Sequence, residues 1–188
     1  MDMTGLSGSI VAIVTPFKED RGVDFEALER LVDFHLANGT DGILVLGTTG
    51  ESSTMTDRED YEVATCVVDR VAGRIPVIGG SGSNSTDESL RKSLGLQKLG
   101  VDGLLIITPY YNKSNEEGIY HHLNSVLDAV NLPCVLYNIP GRTGCSISEK
   151  NLARLSRHPN AWGLKEASGN IAYAATAARY VSEDFHLF

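Results

Sequence analysis

The chain has 188 residues, 42% of them hydrophobic and 21% charged, a composition typical of a globular domain with a packed core. Its 16 basic and 24 acidic residues give a formal net charge of −8, which argues against nucleic acid or an anionic membrane as the partner. We therefore expect one domain that acts on a small soluble molecule.

The start of the chain shows neither the basic segment nor the cleavage site of a signal peptide. Elsewhere, no uninterrupted apolar run approaches the roughly 20 residues that span a bilayer. We expect a cytoplasmic protein without a membrane partner. The alternative location is a plastid, if a transit peptide has been removed.

The cysteines and histidines do not follow the spacing of a metal site. Cys66, Cys134 and Cys145 are an odd number without CxxC spacing, which is typical of reduced thiols. The five histidines form no HExxH motif and accompany no cysteine pair. We therefore predict no metal.

Short apolar segments alternate with longer amphipathic ones. The short segments are aliphatic and bounded by glycine or proline, as buried parallel strands are. They lie at residues 9–17, 42–47, 76–80, 103–109, 133–138, 161–167 and 186–188. The longer segments repeat apolar residues every three or four positions, which predicts helices. They lie at residues 24–39, 56–73, 85–100, 115–130, 148–159 and 170–184.

Capping signals agree with the predicted helices. Thr56 precedes Glu59 and Ser85 precedes Glu88, the spacing of a capping box at a helix start. Glycines stand where three helices should stop, at Gly39, Gly73 and Gly100. The glycine-rich segment at residues 79–85 lacks the last glycine of a nucleotide-binding fingerprint, so we interpret it as a turn before the third helix.

Six strand–helix units and the start of a seventh strand fit either an open doubly wound sheet or an eight-fold barrel. The motifs GTTGE, PYYNK, YNIPGRTG and KEASG fall at or after the carboxyl ends of predicted strands two, four, five and six, where barrel enzymes place their functional loops. We predict the α/β class and a (β/α)8 TIM barrel. Because such a barrel takes about 250 residues, we expect residues 1–188 to be an incomplete barrel domain without its C-terminal part.

Lys165 stands in the apolar stretch AWGLKEASG (residues 161–169), where a charged amine needs either a partner or a purpose. It shares its face of the predicted strand with Gly163, which we expect to leave room for a ligand. Burial would lower the pKa of the amine and supply the neutral form that attacks a carbonyl carbon. The alternative is an ion pair with Glu166 or a distant carboxylate.

Several hydroxyl groups are predicted at the same mouth as this lysine. Thr48 and Thr49 end the second strand, Tyr110 and Tyr111 follow the fourth, and Tyr137 ends the fifth. Together they favour proton relay, although each alone has an ordinary structural explanation. In addition, Arg142 lies on a loop rich in glycine and proline, where a guanidinium can hold a carboxylate with two hydrogen bonds; the alternative is a solvated loop arginine.

Four motifs now carry a resemblance to a known family. GTTGES (47–52), PYYNK (109–113), YNIPGRTG (137–144) and KEASG (165–169), in this order and spacing, closely resemble the 4-hydroxy-tetrahydrodipicolinate synthase family, also called dihydrodipicolinate synthase. The resemblance runs along all 188 residues. The KEASG lysine alone would indicate only the wider class of pyruvate-dependent Schiff-base aldolases.

The resemblance implies a barrel enzyme of lysine and diaminopimelate biosynthesis, which condenses pyruvate with L-aspartate 4-semialdehyde to give 4-hydroxy-tetrahydrodipicolinate and needs no cofactor. It implies that Lys165 forms an imine with pyruvate and that Tyr137 transfers protons. The remaining roles carried over are pyruvate carboxylate binding by Thr48 and Thr49, proton relay through Thr48 to Tyr111 of a neighbouring subunit, and semialdehyde binding by Arg142. The implied full-length assembly is a homotetramer built from two tight dimers.

The resemblance also implies a regulatory site and leaves alternatives open. Positions that bind the feedback inhibitor lysine in some members match Ser52, Asn84, Glu88 and Tyr110, whereas Asp57 and Asp60 stand where inhibited members often carry histidine. One alternative is a related pyruvate-dependent aldolase for sialic acid or sugar acids, which generally lacks an arginine at position 142. The other is a non-catalytic barrel fragment.

Overall fold

A computed structural model describes Met3 and residues 6–188. The chain separates into two compact units. The first contains the residues up to Gly80 together with Leu96–Gly103, and the second contains Ser81–Gly95 together with Leu104–Phe188. Strands and helices alternate along both units.

The strands of the first unit are short and parallel. They are β1 (Ile10–Ala12), β2 (Gly42–Val45) and β3 (Val77–Gly80). Strand β2 pairs with β1 on one side and with β3 on the other, and all four of its residues are buried. A strand buried on both faces needs a continuous apolar run, which is what the sequence GILV supplies.

The strands of the second unit follow the same rule. They are β4 (Gly103–Ile107), β5 (Cys134–Asn138), β6 (Ala161–Glu166) and β7 (His186–Leu187). Each pairs in parallel with the next. In both units, then, neighbouring strands keep their chain order. A barrel has this pattern, whereas a doubly wound sheet reverses its strand order at a switch point.

The helices lie between the strands in the chain. They are α1 (Phe25–Ala37), α2 (Asp57–Val71), α3 (Thr86–Leu99), α4 (Glu116–Ala129), α5 (Pro140–Thr143), α6 (Glu149–Leu155) and α7 (Ile171–Ala177). Helix α1 packs against α2, and α4 packs against α6. Their buried faces carry the leucines and valines that the helical spacing predicted, such as Leu28, Val32 and Leu123.

Every predicted strand and long helix is confirmed, and the differences lie at the ends. The first strand stops at Ala12 instead of residue 17, and Pro16, which has no N–H to donate to a ladder, lies in the predicted part that does not form a strand. Helix α6 stops at Leu155 instead of residue 159, because the residue before Pro159 is driven out of the helical region. The helix predicted at residues 170–184 is shorter, since α7 ends at Ala177 and is followed by the 3₁₀ turn Ala178–Tyr180. Sequence patterning missed α5 and the 3₁₀ turns Thr48–Gly50 and Ser52–Thr54, which are too short to show periodicity.

The two predicted capping boxes have different outcomes. At Thr56 both halves form: its hydroxyl accepts from the Glu59 N–H, and the Glu59 carboxylate accepts from the Thr56 N–H at 2.8 Å. At Ser85 only the hydroxyl half forms, with the Glu88 N–H at 3.3 Å. The Glu88 carboxylate instead accepts from the Ser83 hydroxyl at 2.8 Å, so the second box is incomplete.

The structure also bears on the predicted reduced thiols, the predicted helix-ending glycines and the expected lack of a membrane-spanning segment. All three cysteines are free, and burial raises the pKa of the Cys134 thiol to about 12. The predicted helix-ending glycines Gly39, Gly73 and Gly100 have φ of 76°, 70° and 93°, the left-handed region that favours glycine. Across Met3 and residues 6–188, no helix is long and apolar enough to cross a membrane.

One expectation about Gly163 is wrong. A Cβ atom at this position would lie 2.7 Å from the carbonyl oxygen of His186 and 3.1 Å from a ring carbon of Phe188. The space beside the glycine is thus filled by β7, which pairs Gly163 with His186 in register. The glycine permits close approach of the neighbouring strand, and this strand occupies the space that we expected a ligand to use.

We expect Gly163→Ala to lower the free energy of unfolding by about 1–3 kcal/mol, because its methyl group would push against the β7 backbone. Urea denaturation measures this loss. The matched control is Gly141→Ala, since among the described residues no atom outside its chain neighbours and the backbone of its own helix lies within 4 Å of a Cβ at Gly141. Equal stabilities of the two variants would contradict the packing explanation.

Candidate active site

Lys165 and Tyr137 lie side by side on neighbouring strands. They are Cα partners in the register of β5 and β6, and the Lys165 Nζ atom lies 4.5 Å from the centre of the Tyr137 ring. An amine at this distance from an aromatic face is attracted to it when charged. The register of two buried parallel strands therefore brings the two predicted catalytic side chains into contact.

The Lys165 amine is half-buried, and burial lowers its pKa. Loss of hydration disfavours the ammonium form, so a larger fraction of the amine is neutral than in an exposed lysine. The adjacent carboxylate of Glu166 is engaged elsewhere: one oxygen accepts from the Asn138 side chain at 2.7 Å and the other from the Ser168 N–H at 2.6 Å. The site therefore favours a nucleophilic amine.

Tyr137 is buried, with 7% of its surface exposed. Burial raises the pKa of its hydroxyl, and the positive charge of Arg142 acts in the opposite direction. A tyrosine that keeps its proton can donate it to a reacting oxygen, and a nearby guanidinium assists when the proton has left. This arrangement suits a group that both gives and takes protons.

A cavity of about 440 Å³ lies in the second unit beside the PGRTG segment (residues 140–144). Tyr110, Tyr111, Lys113 and Arg142 line it, so among the described residues two cations face the cavity and no carboxylate does. Sequence reasoning predicted Arg142 here but missed Lys113. The K of PYYNK could have signalled it, because a basic residue in a glycine- and proline-bounded loop is available to an anion.

The backbone around Tyr111 is constrained. Tyr111 and Lys113 have φ of 74° and 49°, which non-glycine residues rarely adopt, and the Tyr111 N–H donates to the Thr143 carbonyl at 3.2 Å. The Tyr111 side chain is 85% exposed. Strained backbone of this kind clusters at functional sites, where the surrounding structure holds it.

Thr48 and Thr49 belong to the first unit, where they form a 3₁₀ turn directly after β2. Both side chains are exposed. The turn is anchored by the Thr15 hydroxyl, which donates to the Gly50 carbonyl at 2.7 Å, and it ends at Glu51 with φ of 59°. The predicted relay from Thr48 to Tyr137 and Tyr111 stays a prediction.

The predicted lysine-effector residues are divided between the units. Ser52, in the first, donates to the Asp60 carboxylate at 3.2 Å. In the second, Asn84 is half-buried, and the Glu88 carboxylate is engaged with the Ser83 hydroxyl. Tyr110 lines the cavity described above. The effector site stays a prediction.

A half-buried lysine of lowered pKa near the carboxyl end of a parallel strand, in contact with a tyrosine, is the arrangement of enzymes that form imines with carbonyl substrates. Comparison with known proteins identifies one family within this class of imine-forming enzymes. The model of the dihydrodipicolinate synthetase family matches residues 5–188, and the chain belongs to that family.

Curated and solved relatives agree with this assignment. The 4-hydroxy-tetrahydrodipicolinate synthase of Caldicellulosiruptor saccharolyticus is 53% identical over 91% of this chain and 58% of its own length. The dihydrodipicolinate synthase of Acinetobacter baumannii, solved with pyruvate, is 41% identical with a TM-score of 0.94 over 97% of this chain and 62% of its own. That of Cyanidioschyzon merolae, solved with lysine bound, is 44% identical with a TM-score of 0.93 over 97% and 63%.

These comparisons confirm the predicted (β/α)8 class. They also show that the chain spans about three-fifths of the length of the curated relatives it matches, from 58% to 63% for three of them. The seven strands correspond to that matched part of the family's barrel.

We expect the Lys165 amine to titrate at a lower pH than the Lys150 amine, because burial lowers the pKa of Lys165 while the carboxylates of Glu116 and Glu117 raise that of Lys150. Heteronuclear NMR titration of lysines labelled at the ε position measures both midpoints. Lys165→Arg and Lys150→Arg variants assign the signals. Coinciding midpoints would disprove the proposed effect of burial.

Proposed function

We propose that the protein condenses pyruvate with L-aspartate 4-semialdehyde through a lysine Schiff base and releases 4-hydroxy-tetrahydrodipicolinate. The observation that carries this proposal is the contact between Lys165 and Tyr137, in which a depressed amine pKa is combined with a proton-carrying hydroxyl. Membership of the dihydrodipicolinate synthetase family and the pyruvate complex of the Acinetobacter baumannii relative support the same substrates.

The first chemical step follows from the state of Lys165. Its neutral Nζ attacks the keto carbon of pyruvate, and loss of the former keto oxygen as water leaves an imine. The imine withdraws electrons from the neighbouring methyl group, so a methyl proton can leave and an enamine forms. The enamine carbon then bonds to the aldehyde carbon of the second substrate, and the aldehyde oxygen takes up a proton to become the 4-hydroxyl group. The amine of the second substrate finally attacks the imine carbon, which closes the ring and displaces Lys165.

We assign the proton transfers in these reaction steps to Tyr137. Its hydroxyl gives a proton to the departing oxygen and accepts one from the methyl group. We assign Thr48 and Tyr111 to the relay that supplies and removes these protons, and Thr49 to the pyruvate carboxylate. A raised tyrosine pKa is poorly matched to neutral pH, which gives such a relay a physical purpose.

The second substrate brings an aldehyde and a carboxylate. Arg142 lines the cavity beside Tyr111, and its guanidinium can hold the carboxylate with two hydrogen bonds. This residue favours the semialdehyde over the sugar acids that related aldolases use.

The cytoplasmic location and the homotetramer of tight dimers stay predictions, and the exposed Tyr111 ring suits the role of a residue shared between subunits.

Incubation of the natural-length protein with pyruvate and borohydride should leave a reduced adduct on Lys165, located by peptide mass spectrometry. Since only the neutral amine reacts, trapping should accelerate as pH rises and level off above the pKa of Lys165, at a lower pH than for an ordinary lysine. Lys165→Ala should abolish the adduct and Lys150→Ala should retain it. A folded wild-type protein without an adduct would refute the proposed chemistry.

Arg142→Ala should raise the KM for aspartate 4-semialdehyde about tenfold to a hundredfold, the loss expected from removing a charged hydrogen-bond donor. Pyruvate trapping on Lys165 should stay within about twofold of wild type, because Arg142 is assigned to the second substrate. Steady-state kinetics with each substrate varied in turn measures the difference. Arg154→Ala, at a half-buried arginine of α6 that is paired with Glu117, is the control. An unchanged semialdehyde KM would favour the sugar-acid aldolase alternative.

A further inference from the structure

Asn138, the residue after Tyr137, is fully buried, and both polar atoms of its side chain make hydrogen bonds. Its Oδ1 atom accepts from the Ile147 N–H at 3.0 Å and from the Ser146 hydroxyl at 3.2 Å. Its Nδ2 atom donates to the Glu166 carboxylate at 2.7 Å. Because a backbone N–H can only donate, the Ile147 contact fixes which end of the amide is oxygen and turns the NH₂ group toward Glu166.

Glu166, the residue after Lys165, is also held by several hydrogen bonds, as Asn138 is. Its second carboxylate oxygen accepts from the Ser168 N–H at 2.6 Å, and its own N–H donates to the Phe188 carbonyl at 2.8 Å. The backbone also closes here, since the Ala167 N–H donates to the Asn138 carbonyl at 2.9 Å. A charge-assisted hydrogen bond between two side chains whose other polar atoms are also hydrogen-bonded has little freedom to shift.

The hydrogen bond between the Asn138 and Glu166 side chains, called the bridge below, lies one residue further along both strands than Tyr137 and Lys165. Asn138 and Glu166 are Cα partners, directly after the partners Tyr137 and Lys165. Successive side chains of a strand point to opposite faces, so the bridge joins β5 and β6 on the face opposite Lys165 and Tyr137. It therefore fixes their relative position without facing the substrate.

The same asparagine closes the loop that carries Arg142. The chain leaves β5 at Asn138, passes through α5 (Pro140–Thr143) and returns to hydrogen-bond the Asn138 side chain at Ser146 and Ile147. On its far side, the Ile147 carbonyl accepts from the Tyr173 hydroxyl at 2.7 Å. One amide thus anchors both ends of the loop.

We propose that Asn138 and Glu166 form a positioning pair that sets the Lys165 amine against Tyr137 and holds the Arg142 loop in place. The inference rests on the proposed function, since it names the groups that align that same chemistry. A displacement of about 1 Å at a reacting group can cost as much as a hundredfold in rate, so a bridge next to the reacting pair has a large effect without touching substrate.

The pair can be broken and then rebuilt with reversed polarity. In the Asn138→Asp variant, the new carboxylate faces the carboxylate of Glu166, and the hydrogen bond between the two residues is lost. In the Glu166→Gln variant, the new NH₂ group faces the NH₂ group of Asn138, and the same hydrogen bond is lost. In the double variant, the carboxylate introduced at position 138 still accepts from Ile147 and Ser146. The amide introduced at position 166 accepts from Ser168 through its oxygen and donates to that carboxylate through its NH₂ group. All four side-chain hydrogen bonds of the pair are therefore available again.

The test uses the natural-length protein and measures the first-order rate constant of pyruvate trapping on Lys165 at saturating pyruvate, with the fraction folded and Tm determined for each variant. We expect each single variant to lose about tenfold to a hundredfold in this rate constant, and the double variant to recover to within about threefold of wild type. The control is Asn124→Asp on α4, where Asn124 donates to Asp128 at the same 2.7 Å. It should retain the wild-type rate.

The outcomes separate this inference from the proposed function. Absence of an adduct in the folded wild type would overturn both. A wild-type adduct with unimpaired single variants would overturn the positioning pair alone. The same holds if the single variants lower Tm or the fraction folded but leave the rate constant of the folded molecules unchanged, or if the double variant is no faster than the singles.

Discussion

The site depends on keeping the Lys165 amine partly out of water. An exposed lysine is almost entirely charged at neutral pH and cannot attack a carbonyl, whereas burial in a parallel sheet penalises the charged form. Strand β6 supplies this environment with four buried residues before the lysine. The neighbouring carboxylate of Glu166 does not restore the charge, because it lies on the opposite face of the strand, where it accepts hydrogen bonds from Asn138 and Ser168.

Burial places a second constraint on the polar residues next to the reactive pair. A buried amide or carboxylate without a partner costs about 1–3 kcal/mol, so Asn138 and Glu166 are stable in this position only together with their acceptors and donors. The pairing that satisfies them also fixes strand β6 against β5. Satisfying buried polar atoms and aligning the reacting groups are therefore achieved by the same hydrogen bonds.

The cavity beside residues 140–144 is shaped by strained backbone and lined by positive charge. Here the backbone itself is strained, at Tyr111 and Lys113, and the loop at residues 140–144 is turned by a short helix that starts with proline. Two cations, Lys113 and Arg142, share this cavity in a chain of net charge −8. Concentrating positive charge at one cavity attracts an anionic substrate even when the whole molecule is acidic.

The sequence by itself determined the order and type of the strands and long helices, because burial on both faces and helical periodicity leave direct patterns in the chain. It also pointed to Lys165, since a charged residue in an apolar strand is conspicuous. It did not show the role of Gly163, which depends on how closely β7 approaches, nor the short helix around Arg142. Only the tertiary structure decided that Tyr137 is the register partner of Lys165 and that Asn138 bonds to Glu166. Strand register and loop closure are set by contacts between segments distant in the chain, and local pattern carries no record of them.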